Sequence, residues 1–395
     1  MALTIVDALL PDGTRTDVRI VDGLVSSIGS GAQPGDDLLE AHGRLLLPAM
    51  AEAHAHLDKA FLAETVPNPT GDLMGAIVAM EASRDRITVA DTVERAERAA
   101  RLIAANGATA IRTHVDITEG CGTTSLEALL TVRERLRDLV HIQVVALGGM
   151  PILGPEGAEE RALLREAIRM GVDVVGGCPH LESDPVAATD LWMTAAADAG
   201  LPVDLHTDET LDPSRFALPY LAEVVQRWGF PHGVTASHCV SLGVQTVAEQ
   251  RRVAEMVAAA GIHVVALPSS NLFLQGREQQ EAMPRALTAV RALREAGVNV
   301  AAGADNLQDP FNFVGRGDCL ETAALMVMAG HLLPDDAYAC VAGAARAALG
   351  LAAAGTRPGE VADLVLVPAA SIREAVAFGP AGRAVVRAGR VVGGW

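Results

Sequence analysis

Lysine is almost missing from this chain: of its 31 basic residues only Lys59 is a lysine, and the rest are arginine. Aromatic side chains make up 3% of the residues, and 49 Asp and Glu leave a formal net charge of −18 and a pI near 5.0. With no basic stripe and few rings to interleave with it, nothing is suited to pairing with phosphates. That argues against nucleic acid and anionic membranes as partners and leaves a small molecule as the default. Thiol chemistry is equally thin. The five cysteines (Cys121, Cys178, Cys239, Cys319, Cys340) are odd in number and share no Cys-x-x-Cys spacing. This argues against a disulfide framework or a thiolate zinc site and points to the reducing cytoplasm. Long apolar runs are also lacking, and the opening MALTIVDALLPDGTRTDV has no basic segment ahead of an apolar one, so neither a membrane span nor an export signal is expected.

Half of the 395 residues are apolar, enough for one large core plus something small. Beyond residue 40, short apolar runs alternate with amphipathic ones, and Gly107, Gly171, Gly200, Gly261 and Gly297 each stand between a helical pattern and a β-branched run, where a left-handed residue ends a helix. A helix before Gly107 is expected to start at Thr88, burying Val93, Ala96, Ala100, Ile103 and Ala104 and turning Glu94, Arg95, Glu97, Arg98 and Arg101 outward. Eight strand candidates follow one another, at residues 45–56, 109–116, 141–149, 172–180, 202–209, 234–240, 263–271 and 299–306. Near-continuous apolar strands separated by helices imply a parallel sheet buried on both faces, and eight such units close a (β/α)8 barrel with its site at the C-terminal strand ends. Residues 1–40 instead show short alternating runs broken by Asp12-Gly13 and Asp22-Gly23, and the tail repeats this around Ala388-Gly389. The expected organisation is a catalytic barrel over residues 49–354 and a small composite β domain from residues 1–48 and 355–395.

The stretch AEAHAHLDKAF puts His54 and His56 on alternate positions of the first barrel strand, so both imidazoles leave one face at the barrel mouth. His206 ends the fifth strand, His238 the sixth and Asp305 the eighth. Five nitrogen and oxygen donors converging on one rim indicate a divalent metal site, and a metal there acidifies water into a nucleophile. Such a nucleophile needs a proton manager, and Glu209, three residues after His206, is placed for it. Asp208 is the weaker candidate, and a carboxylate serving the N-terminus of a helix near Pro213 is the structural alternative for Glu209. No G-x-S-x-G elbow, phosphate loop or dinucleotide fingerprint occurs.

The ordered segments EAHAHLDK, IRTHVD, DVVGGCPHLE, DLHTDETLDPSRF, VTASHC, LQGR and AGADNLQDPF span most of residues 45–320. As a set this resembles the amidohydrolase superfamily, in the branch of cytosine deaminase and N-isopropylammelide isopropyl amidohydrolase, and GEVADLVLV is similar to that superfamily's composite β domain. The resemblance implies one divalent ion per subunit on His54, His56, His206 and Asp305, with Glu209 as proton shuttle and His238 beside the attacking water. Relatives with two metals carry a carbamylated lysine on the fourth strand, which here has none. Zinc is expected first, with iron or manganese also suited to these donors. The implied reaction is hydrolytic deamination of a small amino-substituted N-heterocycle, with release of ammonia or an amine. In cytosine deaminase a glutamine after the third strand reads the pyrimidine edge; here Gly148, Gly149 and Met150 stand there, and Asn306 replaces a second Asp, so strict cytosine specificity is not expected. Lys59, Gly149, Met150, Asn306 and Gln275 are the expected substrate contacts, in a cytoplasmic homo-oligomer. Competing readings are ring-opening hydrolysis of a cyclic amide on the same metal site, a lyase using Lys59 as a Schiff base, and a non-catalytic binding protein.

Overall fold

The computed structural model describes residues 2–393. Strands β1 (Ala2–Leu9), β2 (Arg15–Val21), β3 (Leu24–Ile28), β4 (Asp37–Glu40) and β5 (Leu45–Pro48) come from the N-terminal end. The barrel strands are β6 (Met50–Ala55), β7 (Ala108–Ile117), β8 (His141–Gly148), β9 (Val174–Gly177), β10 (Val203–Thr207), β11 (Val234–His238), β12 (His263–Ala266) and β13 (Val300–Ala302). The chain closes with β14 (Leu364–Val367), β15 (Ala384–Arg387) and β16 (Arg390–Gly393).

The chain ends share one sheet in the order β16-β15-β14-β5-β1-β2-β3, with β4 pairing β1. Asp22 and Gly23 both take positive φ between antiparallel β2 and β3, as a two-residue hairpin matched to strand twist requires, and Ala388 and Gly389 do the same between β15 and β16. A second sheet runs β6 to β13 in chain order, every neighbouring pair parallel. It closes through one parallel bridge, Ala55 to Asp305: Asp305 N donates to His54 O at 2.9 Å and His56 N donates to Asp305 O at 3.0 Å. The result is the expected (β/α)8 barrel with a separate sheet from the termini.

All five glycines expected at helix ends have positive φ. The helix Val89–Ala105 starts at Thr88, whose side chain accepts from Asp91 N, and buries Ala96, Ala100, Ile103 and Ala104. Arg95, expected outward, is instead buried. Its Nη1 donates to Asp58 O at 2.7 Å and Ala60 O at 3.0 Å, tying down the loop that leaves β6. Two strand readings are also corrected. The run 45–56 is two strands in different sheets, divided at Ala49, whose N–H donates to the carbonyl of Asp363, the residue before β14. The run 263–271 ends as a strand at Ala266, because Pro268 begins the helix Pro268–Leu274.

Candidate metal and catalytic site

The mouth of the barrel is polar and buried. His54, His56, His206, His238, Glu209 and Asp305 are all buried, each at most 6% exposed. His54 leaves the strand β6 itself, while His56 stands one residue past its end. His206 leaves β10 and His238 is the last residue of β11. Asp305 lies three residues beyond β13, where the closing bridge draws it against His54 and His56. His238 and Asp305 have φ of 70° and 66°, the left-handed region that costs a non-glycine residue about 1–3 kcal/mol and re-aims a side chain as it leaves a strand.

Donor atoms converge accordingly. His56 Nε2 lies 3.2 Å from His206 Nε2 and 3.2 Å from Asp305 Oδ1, and His54 Nε2 lies 3.5 Å from the same oxygen. Within the sets His54–His56–His206 and His54–His238–Asp305 the ligand atoms all fall within 4.8 Å of one another. His54 Nε2, His206 Nδ1, His238 Nε2 and Asp305 Oδ1 are buried with no hydrogen-bond partner among the described residues. Burial, and then the neighbouring imidazoles, push His54 and His206 well below the ordinary histidine value; for His56 burial comes first and the Lys59 ammonium second. All three are therefore neutral and keep a lone pair. Neutral imidazoles and a carboxylate gathered this closely, with His54 Nε2 and Asp305 Oδ1 unpartnered among the described residues, fit a divalent cation. A third donor set, His54–His114–Asp204, lies deeper; His114 is fully buried and stacks on His54 with ring centroids 3.9 Å apart.

Proton-handling groups adjoin the cluster. Burial, and then the neighbouring Asp305 carboxylate, push Glu209 well above the usual carboxyl range and favour its protonated form. Glu209 Oε1 is 3.4 Å from His238 Nδ1. Asp208, with φ of 52°, turns the other way: its carboxylate accepts from Ala217 N at 2.8 Å and Leu218 N at 2.9 Å. The helix expected near Pro213 begins at Leu218, and Asp208 rather than Glu209 is the carboxylate at its start.

A cavity of about 160 Å³ opens over the cluster, lined by His56, His206, Glu209, His238 and Asp305. Lys59, Gly149, Met150 and Asn306 line it too, whereas Gln275 does not. The amide of Gln275 is instead buried after the helix Pro268–Leu274, with no partner among the described residues. Lys59 is held inside the wall: Nζ donates to Asp116 Oδ1 at 2.8 Å and to Asp58 Oδ2 at 3.5 Å, and lies 3.2 Å from His56 Nδ1. Although burial works against its charge, Asp116 and Asp58 keep the ammonium above its usual range. Leu73, Ile77, Met80, Ile87 and Phe311 form an apolar flank that sequence reading did not assign. Asn271 and Ser237, both fully buried beside the imidazoles, were likewise given no role, since nothing in their spacing separates them from ordinary polar residues.

Residues 91–393 match the model of the amidohydrolase family. The chain belongs to that family. Over 387 residues this amidohydrolase is 34% identical to the pterin deaminase of Rhizobium rhizogenes, an alignment covering 96% of this chain and 88% of the relative. Among solved structures it superposes on 5-methylcytosine deaminase from Klebsiella pneumoniae liganded with 5-fluorocytosine, with a TM-score of 0.89 and 32% identity over 98% of this chain and 97% of that one. N-isopropylammelide isopropylaminohydrolase from Burkholderia multivorans gives 0.85 and 31% over 100% and 98%. The amidohydrolase is thus a hydrolase of carbon–nitrogen bonds in a metal-dependent superfamily, and these relatives are two deaminases and an isopropylaminohydrolase.

Proposed function

We propose that this amidohydrolase removes an amino group from a ring carbon of a small N-heterocycle, releasing ammonia or an amine, with one divalent ion held by His54, His56, His206 and Asp305. The observation that carries the proposal is the gathering of these four buried donors, with His54 Nε2, His206 Nδ1 and Asp305 Oδ1 lacking partners among the described residues, beside Glu209 at the base of the cavity. When bound, the ion supplies a Lewis acid that brings the pKa of a water near neutrality. Asp305 would take one proton of a water as the water's oxygen attacks the amino-bearing carbon. Glu209 gives its own proton to the adjacent ring nitrogen, collects the second water proton from the new hydroxyl, and passes it to the departing amine. Asp305 then returns its proton to Glu209, leaving a cyclic amide and the free amine.

Lys59, Gly149, Met150 and Asn306 are proposed as substrate contacts from their places in the cavity wall. Asn306 is itself held, accepting from Ser270 Oγ at 3.1 Å and donating to Asp309 Oδ2 at 2.9 Å. The Schiff-base reading loses support, because Asp116 and Asp58 keep Lys59 charged and withhold the lone pair that attack on a carbonyl needs. Zinc is the ion we infer first, from three imidazoles and one carboxylate, with iron or manganese as alternatives. Five free cysteines support a reducing cytoplasm, and exposed Val314, Met328 and Leu333 support self-association, which sedimentation checks. No helix among the described residues is long and apolar enough to cross a membrane.

The test is ammonia release from a panel of aminopyrimidines, aminopterins and aminotriazines, with metal content measured on the same preparation. Turnover of at least one compound, lost on chelation and restored by zinc, iron or manganese, is expected. Full activity in metal-free protein would remove the proposal.

A further inference from the structure

Asn271 sits fully buried in the first turn of the helix Pro268–Leu274, directly after β12. Its Nδ2 is 3.2 Å from Glu209 Oε1 and 3.2 Å from His238 Nδ1, while its Oδ1 has no partner among the described residues. One amide nitrogen thus spans the two groups placed to handle protons. An amide nitrogen carries two hydrogens, one for each of these acceptors. A neutral imidazole that accepts at Nδ1 carries its proton at Nε2.

We infer that Asn271 is a positioning residue that fixes His238 as an Nε2–H donor facing the cavity, and that it holds Glu209 Oε1 with its second hydrogen. Two consequences follow for the mechanism, and both rest on the deaminase reading above. His238 Nε2, which is buried and unpartnered, presents a hydrogen to an attacking water or a developing oxyanion and withholds the lone pair that would make it a fourth imidazole ligand. Three histidines then bind the ion and the fourth does not, although His238 lies as close to His54 and Asp305 as a ligand would. Once Glu209 has released its proton, the buried carboxylate keeps one charge-assisted hydrogen bond from Nδ2. The opposite amide orientation, Oδ1 toward both groups, would require a proton on His238 Nδ1 and would leave Nε2 free to bind metal.

Neutron diffraction from crystals of the deuterated, metal-loaded enzyme reads this directly. The expected map shows deuterium on Nδ2 directed at Glu209 Oε1 and His238 Nδ1, and deuterium on His238 Nε2. Deuterium on His238 Nδ1, or Oδ1 facing the pair, would overturn the inference whether or not a substrate has been found, so its failure is separable from failure of the deaminase reading. Kinetics supply the second arm. Asn271→Leu is close in size and has no hydrogen to donate in any protonation state, and should lower kcat about 100-fold while KM moves less than about 3-fold and metal content is kept. Asn271→Ser, which keeps one donor, should recover part of that loss. An Asn271→Leu enzyme with kcat within about 3-fold of the parent would overturn the inference.

Discussion

His54 Nδ1 lies 2.9 Å from Ser237 Oγ, and that hydroxyl gives its own proton to Asp204 Oδ1 at 2.7 Å. A hydroxyl that has spent its hydrogen can only accept, so His54 must donate from Nδ1, and its lone pair is left on Nε2, facing the other donors. Asp204 stays ionised despite complete burial, because His114, Arg112 at 2.9 Å and Ser237 favour its charge. The chain from Asp204 through Ser237 therefore sets the tautomer in which His54 can bind a cation.

Removing that relay should weaken metal retention before it weakens the fold. Ser237→Ala is expected to lower affinity for the ion by about 10–100-fold, the usual effect of losing a group that orients a ligating histidine. Competition against a chelator measures it, and an unchanged dissociation constant would count against the tautomer argument.

Glu209 is placed to carry protons rather than to hold metal. Glu209→Gln should therefore keep its metal content and lower kcat by about 10²–10⁴-fold, the range for a lost general acid–base. Elemental analysis beside steady-state kinetics separates the two roles; a metal-free variant would show that Glu209 is a ligand instead.

Lys59 is the one lysine among 31 basic residues, and it threads between Asp116, Asp58 and His56. A planar guanidinium does not offer the same compact three-way contact. Lys59→Arg should lower kcat/KM across the substrate panel, and equal values in both enzymes would remove Lys59 from the substrate contacts. Lys59→Met leaves two carboxylates without their cation and should cost about 3–5 kcal/mol, as breaking a buried pair does, with denaturant unfolding as the measure.

Gly303 stands where β13 approaches β6. A Cβ there would lie 3.0 Å from both His54 N and His54 O and 2.7 Å from Glu52 Oε1. The two backbone atoms cannot swing aside, so Gly303→Ala should push apart the bridge that brings Asp305 to His54. About 1–3 kcal/mol of destabilisation is expected, as for an overpacked core, together with weaker metal binding. Wild-type stability in the alanine variant would show that the barrel closes more loosely than described.

The terminal sheet should respond to acid. Arg19 donates to Asp36 Oδ2 at 2.8 Å and Oδ1 at 3.0 Å, and this pairing, then Gln33 N–H, holds the Asp36 carboxyl well below its ordinary value of 3.8. A carboxyl depressed by folding stabilises fully above its unfolded pKa and loses that contribution as pH falls through the folded one. The stability advantage of the parent over Asp36→Asn should therefore be constant at neutral pH and shrink below about pH 4. An advantage that grew on acidification would contradict the pairing.

The barrel was legible because its signals are local. Each helix-ending glycine and each apolar strand can be recognised within a dozen residues, and the donors His54, His56, His206, His238 and Asp305 fall near strand ends. What escaped depends on distance in the chain. The division of residues 45–56 between two sheets follows from Asp363, more than 300 positions away, which no periodicity records. Arg95 looked like an outward helix residue because its partners, the carbonyls of Asp58 and Ala60, lie on a different segment. Gln275, expected in the cavity from its neighbourhood in LQGR, follows the helix Pro268–Leu274 and is not among the residues that line the cavity. Asn271 and Ser237 gain meaning only once the imidazoles they touch are assembled.

Anomalous diffraction tests the central claim most directly, recorded on either side of the absorption edge of whichever metal copurifies with the protein. The account requires one peak per chain, about 2.0–2.2 Å from a nitrogen of each of His54, His56 and His206 and from a carboxylate oxygen of Asp305. A peak between His114 and Asp204, or no peak in active crystals, would contradict it.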